Sequence, residues 1–307
     1  MKLLFAGTPD FACASLKALL QAGLKPCAVL TQPDRAAGRG RKLTASPVKE
    51  LALAHDLPLL TPRTLKDPDV LQAMAEFDAE LLIVVAYGLL LPQAVLDLPR
   101  HGCLNVHASL LPRWRGAAPI QAAILAGDAQ TGVSLMRMDA GLDTGPVYLR
   151  QTLSIDAEET AGELHDRLAE LGAAMLTQHL ASIVGGSLTA TPQDEAEASY
   201  AGKIESSDAV LDWRQPAAAL GRRVRAYNPV PGAWFELDGE RVKCWSACVT
   251  AAAGAPPGTV LAASASGVDV ACSDGTLRML SLQRPGRQRV SAAEFAAQKT
   301  LPGKRLG

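Results

Sequence analysis

A continuous apolar run at residues 81–86 constrains the fold of this chain more than any other feature. The run reads Leu-Leu-Ile-Val-Val-Ala and ends at Tyr87-Gly88. A strand that is apolar at every position is typical of a central parallel strand covered on both faces. Shorter apolar segments alternate with helical patterns around it. The pattern predicts an open, mostly parallel α/β sheet of the Rossmann type in the N-terminal half.

The chain of 307 residues is long enough for two domains. We predict a first domain at residues 1–188, a polar linker at 189–207 and a smaller domain at 208–307. In the last of these, short apolar segments alternate with turn signals such as Asp238-Gly239 and Asp274-Gly275. Such spacing is typical of a small β-barrel, here of the OB type.

Composition excludes several classes of protein. No apolar run is long enough to cross a membrane, and the run at residues 1–7 is too short and too soon broken to be a signal peptide. The six cysteines form no Cys-x-x-Cys pair, and the five histidines lack metal-ligand spacing. We therefore expect a cytoplasmic protein with reduced thiols and no metal site.

The net charge of −1 conceals an asymmetry between the two halves. Residues 1–199 carry 16 Lys and Arg against 22 Asp and Glu, a net of −6, and residues 200–307 carry 14 against 9, a net of +5. A basic second half favours an anionic partner such as nucleic acid. Taken alone, the composition fits a modest charge fluctuation between two solvated surfaces equally well.

Three polar side chains follow the strand patterns of the first domain, namely Asn105, His107 and Asp143. Asn105 and His107 lie two residues apart on a predicted strand and therefore project to one face. Asp143 lies in a glycine-bracketed turn after a later strand. At a shared sheet edge, the imidazole can act as a general base, the carboxylate can orient it, and the amide can donate to an oxyanion. The set predicts acyl-type transfer, although each residue alone also fits a structural role.

The motifs around these residues resemble the folate-dependent formyltransferases. Residues 105–112 read Asn-Val-His-Ala-Ser-Leu-Leu-Pro, and Asp143 precedes Thr144-Gly145. The other matching stretches follow in chain order and are Phe5–Phe11, Thr31–Arg35 with Gly38–Gly40, Val84–Gly88, Pro112–Gln121, Arg225–Pro229 and Pro302–Leu306. The matches cover nearly the whole chain, and they fit best the branch of the family that acts on methionyl-tRNA.

The resemblance implies transfer of a formyl group from 10-formyltetrahydrofolate to the α-amino group of methionine on initiator methionyl-tRNA, for translation initiation. Asn105 would hold the formyl oxygen, and His107 would stabilise the oxyanion and move protons. Asp143 would pair with His107 and help the proton leave the amine. The first domain would be catalytic, the barrel would bind tRNA, and we expect a monomer.

The resemblance also implies two binding regions. The folate would contact the Ser-Leu-Leu-Pro turn, the Tyr-Gly pair and the loop before Asp143, namely Ser109, Leu110, Leu111, Pro112, Tyr87, Gly88 and Asp139. The acceptor end of the tRNA would contact the basic loop at residues 33–43, namely Arg35, Arg39, Arg41 and Lys42. Where family members commonly have glycine, this chain has Ala108, whose methyl group could narrow the folate channel or hold φ negative.

Two other functions stay open on the sequence. A formyltransferase acting on a nucleotide sugar or on glycinamide ribonucleotide would keep Asn105, His107 and Asp143. It gives no reason for the basic loop or for the basic second domain. A non-catalytic RNA-binding protein that reuses the fold would explain the charge, but it would not need the three polar side chains together.

Overall fold

The computed structural model describes residues 1–37, 42–251, 254–297 and 301–307. The chain divides into two compact units. The first unit contains Met1–Pro119, Gln130–Ser154 and His165–Ala201, and the second contains Ile120–Ala129, Ile155–Leu164 and Gly202–Gly307. Within the described ranges, no helix is long and apolar enough to span a membrane.

The first unit is built on a seven-stranded sheet. The strands of this unit are β1 (Leu3–Gly7), β2 (Ala28–Leu30), β3 (Arg35–Ala37), β4 (Lys42–Thr44), β5 (Leu59–Leu60), β6 (Leu81–Val85), β7 (Cys103–His107), β8 (Arg115–Gly116), β9 (Gln130–Arg137), β10 (Val147–Ser154) and β11 (Tyr200–Ala201). The large sheet has the order β10-β9-β7-β6-β1-β2-β5. The five strands from β7 to β5 are parallel, and β9 and β10 add an antiparallel edge. The predicted mostly parallel sheet is therefore confirmed.

The apolar run at residues 81–86 supplies β6, in the middle of this sheet. Each of its five residues is at most 5% exposed, because the strand has neighbours on both sides and is covered on both faces. β1 beside it is equally buried. Burial of this strand pair forms the core that fixes the position of β7.

The helices α1 (Asp10–Gln21), α2 (Pro47–Ala54), α3 (Pro68–Ala75) and α4 (Gln93–Leu96) lie in the first unit. α2 begins as its sequence predicts, because the Ser46 hydroxyl accepts from the Lys49 amide at 3.0 Å and Pro47 occupies the first turn. The helices α5 (Pro119–Ala126) and α6 (Ala161–Val184) contribute residues to both units.

The described parts of the predicted loop at residues 33–43 include two short strands. Arg35–Ala37 and Lys42–Thr44 pair as an antiparallel two-stranded sheet, β3 with β4. The pairing was not predicted because strands of three residues carry too few positions for an alternating pattern. Arg39 and Arg41 lie outside the described residues.

The strand before Asp143 also differs from expectation. β9 runs antiparallel to β7, with Leu104 opposite Arg137 and His107 opposite Ser134. The C-terminal end of β9 is therefore beside the N-terminal end of β7, at the sheet edge away from His107. The expectation that Asp143 joins the site because strand ends meet at one edge is wrong. The loop between β9 and β10 returns Asp143 to the site instead.

The second unit is an antiparallel β structure. Its strands and further helices are α7 (Ala217–Ala226), β12 (Ala233–Leu237), β13 (Glu240–Thr250), β14 (Val260–Ser264), β15 (Gly267–Ala271), β16 (Thr276–Gln283), β17 (Val290–Ser291) and α8 (Ala292–Ala297). The strand order is β12-β13-β16-β15-β14, and β17 pairs with β16. Its core includes the apolar residues of these strands and the inner faces of α7 and α8.

The last residues of the chain join the two edge strands of this sheet. Val260 of β14 exchanges hydrogen bonds with the segment at Gly303 and Lys304, at 2.8 and 2.9 Å. Glu236 of β12 exchanges hydrogen bonds with Gly307 at 2.9 and 3.1 Å. Residues 303–307 therefore connect β14 to β12 and give the sheet the barrel-like closure that the turn spacing predicts.

Candidate active site

Asn105, His107 and Asp143 lie together in the first unit. Asn105 and His107 project from one face of β7, as their spacing predicts, and are only 7% and 6% exposed. The Asn105 amide nitrogen donates to Asp143 Oδ1 at 3.3 Å, and His107 Nδ1 lies 3.7 Å from Asp143 Oδ2. The structure therefore brings the three predicted catalytic side chains into one buried cluster.

The carboxylate of Asp143 is held from two sides. Its Oδ2 accepts from the backbone amide of Gly116 at 2.8 Å, while Oδ1 accepts from Asn105. Because a carboxylate only accepts, the nitrogen end of the Asn105 amide must face it. Asp143 also has a left-handed backbone, with φ of 55°. Such a conformation costs about 1 kcal/mol or more, and each buried hydrogen bond contributes a similar amount, so the bonds can offset it.

The tautomer of His107 follows from its second contact. Nε2 lies 3.0 Å from the backbone carbonyl of Trp114, which can only accept, so Nε2 carries the hydrogen. In the neutral ring, Nδ1 therefore turns a lone pair toward Asp143. The gap of 3.7 Å between Nδ1 and Oδ2 is longer than a direct hydrogen bond. A substrate N–H group that lies beside these two atoms can donate to either of them.

The residues around β8 support these contacts through an unusual backbone. Trp114 has φ of 59°, which aims its carbonyl at His107, and its amide donates to Ser199 Oγ at 3.0 Å. Gly116 has φ of 112°, and a Cβ atom there would approach the Ala201 carbonyl to 2.6 Å. Only glycine suits this position, because β8 and β11 pass each other closely here.

The Ser-Leu-Leu-Pro turn, expected to contact folate, is tied down internally. The Ser109 hydroxyl is fully buried and donates to the Arg113 carbonyl at 2.5 Å. Ser134 Oγ donates to the Ser109 carbonyl at 2.7 Å and accepts from the Leu111 amide at 3.1 Å. Leu111 and Pro112 are buried too, whereas Leu110 is half-buried. These contacts favour a role for the Ser109 side chain in shaping the turn.

Tyr87 and Gly88 follow β6 directly. The Tyr87 carbonyl accepts from Thr8 Oγ1 and from Gln32 Nε2, both at 2.9 Å, so its two lone pairs are in use. The Tyr87 ring is buried, and this burial raises the pKa of its hydroxyl. A folate contact from this carbonyl would therefore require one of the two donors to move.

Asp139 opens the loop that carries Asp143. Its Oδ1 accepts from the Gly141 amide at 3.1 Å and from Thr144 Oγ1 at 2.6 Å. Both bonds are local and shape the turn that ends at Asp143. The Asx-type turn of this loop is therefore at Asp139.

Ala108 is compatible with this backbone. It is 9% exposed, and its φ is not positive. Its conformation therefore needs no glycine in this chain, and the methyl group is already accommodated at the end of β7.

The predicted tRNA-contacting residues are only partly described. Arg35 is exposed on β3, and its guanidinium donates to the Gln32 side-chain oxygen. Lys42 lies on β4. Asp34 and Lys49 form an ion pair at 2.7 Å at the base of the β3–β4 hairpin. This ion pair and the Arg35 bond connect the base of the hairpin to the body of the first unit.

A cysteine nucleophile is not supplied by β7. The Cys103 thiol is buried, and loss of hydration raises its pKa to about 12. The thiolate needed for covalent catalysis is therefore scarce at neutral pH. Among the residues that the structure describes, no group of three or more His, Cys, Asp or Glu side chains is placed to hold a metal ion.

Several supporting residues had no sequence signal for their role. Trp114 and Gly116 were part of a matching motif, but nothing in the motif indicated that they contact His107 and Asp143. Arg115 is fully buried and pairs with Glu195 of the predicted linker at 2.7 Å. Hydrogen bonding to Glu195 raises the pKa of this guanidinium, and Arg115 lowers the pKa of Glu195.

Comparison with known proteins places this chain in a family and shows that its fold is shared. Residues 1–180 match the family described as "Formyl transferase", and residues 203–300 match "Formyl transferase, C-terminal domain". The crystal structure of HypX from Aquifex aeolicus in complex with tetrahydrofolic acid superposes with a TM-score of 0.66. That match covers 99% of this chain and 48% of HypX at 20% identity, which shows a shared fold. The chain belongs to the formyltransferase family.

Full-length relatives place the chain more narrowly. The methionyl-tRNA formyltransferase of Methylococcus capsulatus is 52% identical over 308 residues, which covers 100% of both chains. The methionyl-tRNA formyltransferase of Thiobacillus denitrificans is 54% identical over 310 residues, again with 100% of both chains covered. Within the family, the chain belongs to the methionyl-tRNA formyltransferase branch.

Proposed function

We propose that this chain transfers the formyl group of 10-formyltetrahydrofolate to the α-amino group of methionine on initiator methionyl-tRNA, for translation initiation. The observation that carries the proposal is the buried cluster of Asn105, His107 and Asp143 in a chain that is 52% to 54% identical, over its full length, to methionyl-tRNA formyltransferases. This acceptor implies a cytoplasmic location, because charged initiator tRNA is made and used where translation occurs.

The cluster fits the chemistry of amine formylation. When an amine attacks a formyl carbon, the carbonyl oxygen gains negative charge and the nitrogen must lose a proton. Asn105 has a second amide hydrogen beyond the one that faces Asp143, and it can donate to that oxygen. Asp143 and the Nδ1 atom of His107 face one gap and together can accept the proton.

The surroundings of the cluster fit a flat heteroaromatic donor. Leu142, next to Asp143, is 53% exposed, and Leu90, two residues after Gly88, is 85% exposed. An exposed apolar side chain beside a polar cluster, such as Leu142, is typical of a ligand site, because a bound ring can cover it. Leu90 follows the Tyr87-Gly88 pair that is predicted to contact folate. When bound, the folate supplies the formyl carbon and the amine leaving group. Leu142, Leu90 and the Ser109–Pro112 turn are the residues that we expect to hold it.

A formylation assay tests the proposal. Purified protein is incubated with 10-formyltetrahydrofolate and charged initiator methionyl-tRNA, and formylmethionyl-tRNA is quantified. Parallel reactions replace the tRNA with an amino-sugar nucleotide or with glycinamide ribonucleotide. We expect turnover when the acceptor is the tRNA and none when it is either small molecule. Absence of turnover with it, or faster turnover with one of the small acceptors, would overturn the proposed acceptor.

The basic loop gives a separate prediction for acceptor binding. We expect Arg39→Ala to raise KM for the tRNA by about tenfold and to leave kcat within about twofold, as loss of one phosphate contact would. For the same reason, the slope of the logarithm of the tRNA binding constant against the logarithm of salt concentration should become shallower by about one. Arg63→Ala, at an exposed arginine elsewhere in the first unit, is the matched control. Equal kinetics for the two variants would contradict a role for Arg39 in tRNA contact.

A further inference from the structure

The polar segment after α6 contributes a side chain that reaches the loop of Asp143. Gln193 Nε2 donates to the Asp143 carbonyl at 2.8 Å and to the Gly145 carbonyl at 2.7 Å. Its Oε1 accepts from Arg115 Nε at 3.1 Å and from Arg115 Nη2 at 2.9 Å. Both donors and both lone pairs of the Gln193 amide are therefore in use.

The orientation of this amide is determined by its partners. A guanidinium only donates, so the oxygen of Gln193 must face Arg115, and carbonyls only accept, so the nitrogen must face the Asp143 loop. A flipped amide would oppose two donors with donors and two acceptors with acceptors. Gln193 therefore acts as a rigid bridge between β8 and the loop that follows β9.

Arg115 anchors the other end of the bridge. Its guanidinium has five N–H groups, and each has an acceptor: two bonds go to Gln193, two go to Glu195 at 2.7 and 2.9 Å, and one goes to the Tyr200 hydroxyl at 3.4 Å. Arg115 is fully buried, whereas the Glu195 side chain is 68% exposed. A buried cation whose donors are all satisfied has a single favourable position.

Asp143 is restrained at its backbone and at its carboxylate, and both restraints involve β8. Gln193 holds the backbone on both sides of residue 144, and the Gly116 amide, next to Arg115 in the chain, holds the carboxylate. Asp143 needs such support because its φ is 55°, a conformation that aspartate leaves easily when nothing restrains it. The side-chain and backbone restraints are both anchored in β8.

We propose that Gln193 is a positioning residue for formyl transfer, which keeps the Asp143 carboxylate aimed at Asn105 and His107 by connecting the Asp143 loop to Arg115. The inference rests on the proposed function, in which Asp143 accepts a proton. It assigns the segment at residues 193–201 to the catalytic apparatus of the first unit.

The first test is Gln193→Met, which keeps the length of the side chain and removes all four hydrogen bonds. We expect kcat to fall by about 30-fold at unchanged KM for tRNA, because misplacement of a catalytic group by about 1 Å can cost up to about 100-fold. Gln151→Met, at an exposed glutamine of β10, is the control and should match wild type. A kcat for Gln193→Met within about twofold of wild type would overturn the proposal.

The decisive measurement is a double-mutant cycle with Asp143→Asn. If Gln193 acts through the Asp143 carboxylate, Gln193→Met should lower kcat by less than about twofold in the Asp143→Asn background. A purely structural role for Gln193 would give the same fold loss in both backgrounds, and that outcome would refute a positioning role.

A second variant covers the case in which Gln193→Met does not fold. Gln193→Glu keeps an acceptor for Arg115, replaces the donors to the Asp143 and Gly145 carbonyls with an acceptor oxygen, and adds a negative charge beside the guanidinium. We expect it to fold and to show the same loss of kcat and the same non-additivity with Asp143→Asn. Folded Gln193→Glu with wild-type kcat would overturn the proposal.

Hydrogen exchange separates this inference from the proposed function. The Gly116 amide, bonded to the Asp143 carboxylate, should exchange about tenfold faster in the folded Gln193 variants than in wild type. The Cys27 amide, which donates to the Leu3 carbonyl of β1 at 2.8 Å, provides an internal reference in the same unit. If the wild type forms no formylmethionyl-tRNA, the proposed function fails. The inference about Gln193 is tested independently, and an unchanged exchange rate of the Gly116 amide in the variants would overturn it.

Discussion

Replacing Asp143 with asparagine is expected to lower kcat for formyl transfer by about a thousandfold, while the Kd for tRNA stays within about twofold. Asparagine has nearly the same shape and tolerates the left-handed backbone that Asp143 adopts. Its oxygen can still accept from the Gly116 amide, and the Asn105 amide then turns its own oxygen toward the new NH2 group. The substitution therefore removes the negative charge and the proton acceptor and leaves the fold of the loop in place.

The loss should be seen under single-turnover conditions with saturating donor, so that binding and product release do not contribute. A residual kcat above about one tenth of wild type would contradict proton transfer to Asp143.

Asp139→Asn is the matched control for this prediction. Asp139 lies in the same loop, and its carboxylate accepts two local hydrogen bonds from Gly141 and Thr144. Its substitution removes the same charge from the same loop without touching the cluster. At saturating donor we expect kcat for this variant within about threefold of wild type, since an Asx turn tolerates either side chain and loss of a folate contact at Asp139 would raise KM for the donor instead.

The sheet and the pair on β7 could be predicted because both follow from local patterns. Burial on both faces of β6 requires an apolar residue at every position, and this requirement is visible as the continuous apolar run at residues 81–86. The period of two along a strand fixes Asn105 and His107 on one face without any knowledge of their neighbours. Each inference needs only residues that are close in the chain.

The position of Asp143 was predicted for the wrong reason. Its neighbours matched a family motif, but the supposed meeting of strand ends fails because β9 is antiparallel to β7. The direction of a strand relative to its neighbour depends on which strands pair, and the sequence of β9 does not indicate this direction. The loop between β9 and β10 reaches the site through its turn and through contacts with Gly116 and Gln193, which are distant in sequence.

The support around the cluster could not be predicted at all. Gln193 and Asp143 are 50 residues apart, and Arg115 and Glu195 are 80 apart. Pairings between residues so far apart produce no periodic pattern in the sequence. A polar segment such as residues 189–207 is therefore equally consistent with a solvated linker and with a segment that contacts the site. The left-handed φ of Trp114, which aims its carbonyl at His107, is also imposed by tertiary contacts that propensity opposes.

Replacing His107 with alanine is expected to lower kcat by about a thousandfold, close to the effect of Asp143→Asn, while tRNA binding stays intact. The imidazole is the only group that places a basic nitrogen opposite the Asp143 carboxylate within the cluster. Alanine also removes the hydrogen bond that Nε2 donates to the Trp114 carbonyl, at a cost of about 1 kcal/mol in the free energy of unfolding. Thermal unfolding must therefore be measured beside kcat and the Kd for tRNA.

His107→Gln separates these two effects. A glutamine amide can place a donor near the position of Nε2 and so keep the hydrogen bond to Trp114, but it has no basic nitrogen. We expect this variant to recover most of the stability lost in His107→Ala and none of the turnover. His101→Ala, at a histidine just before β7, should match wild type in both measurements. Recovery of turnover in His107→Gln would mean that His107 orients Trp114 and moves no proton.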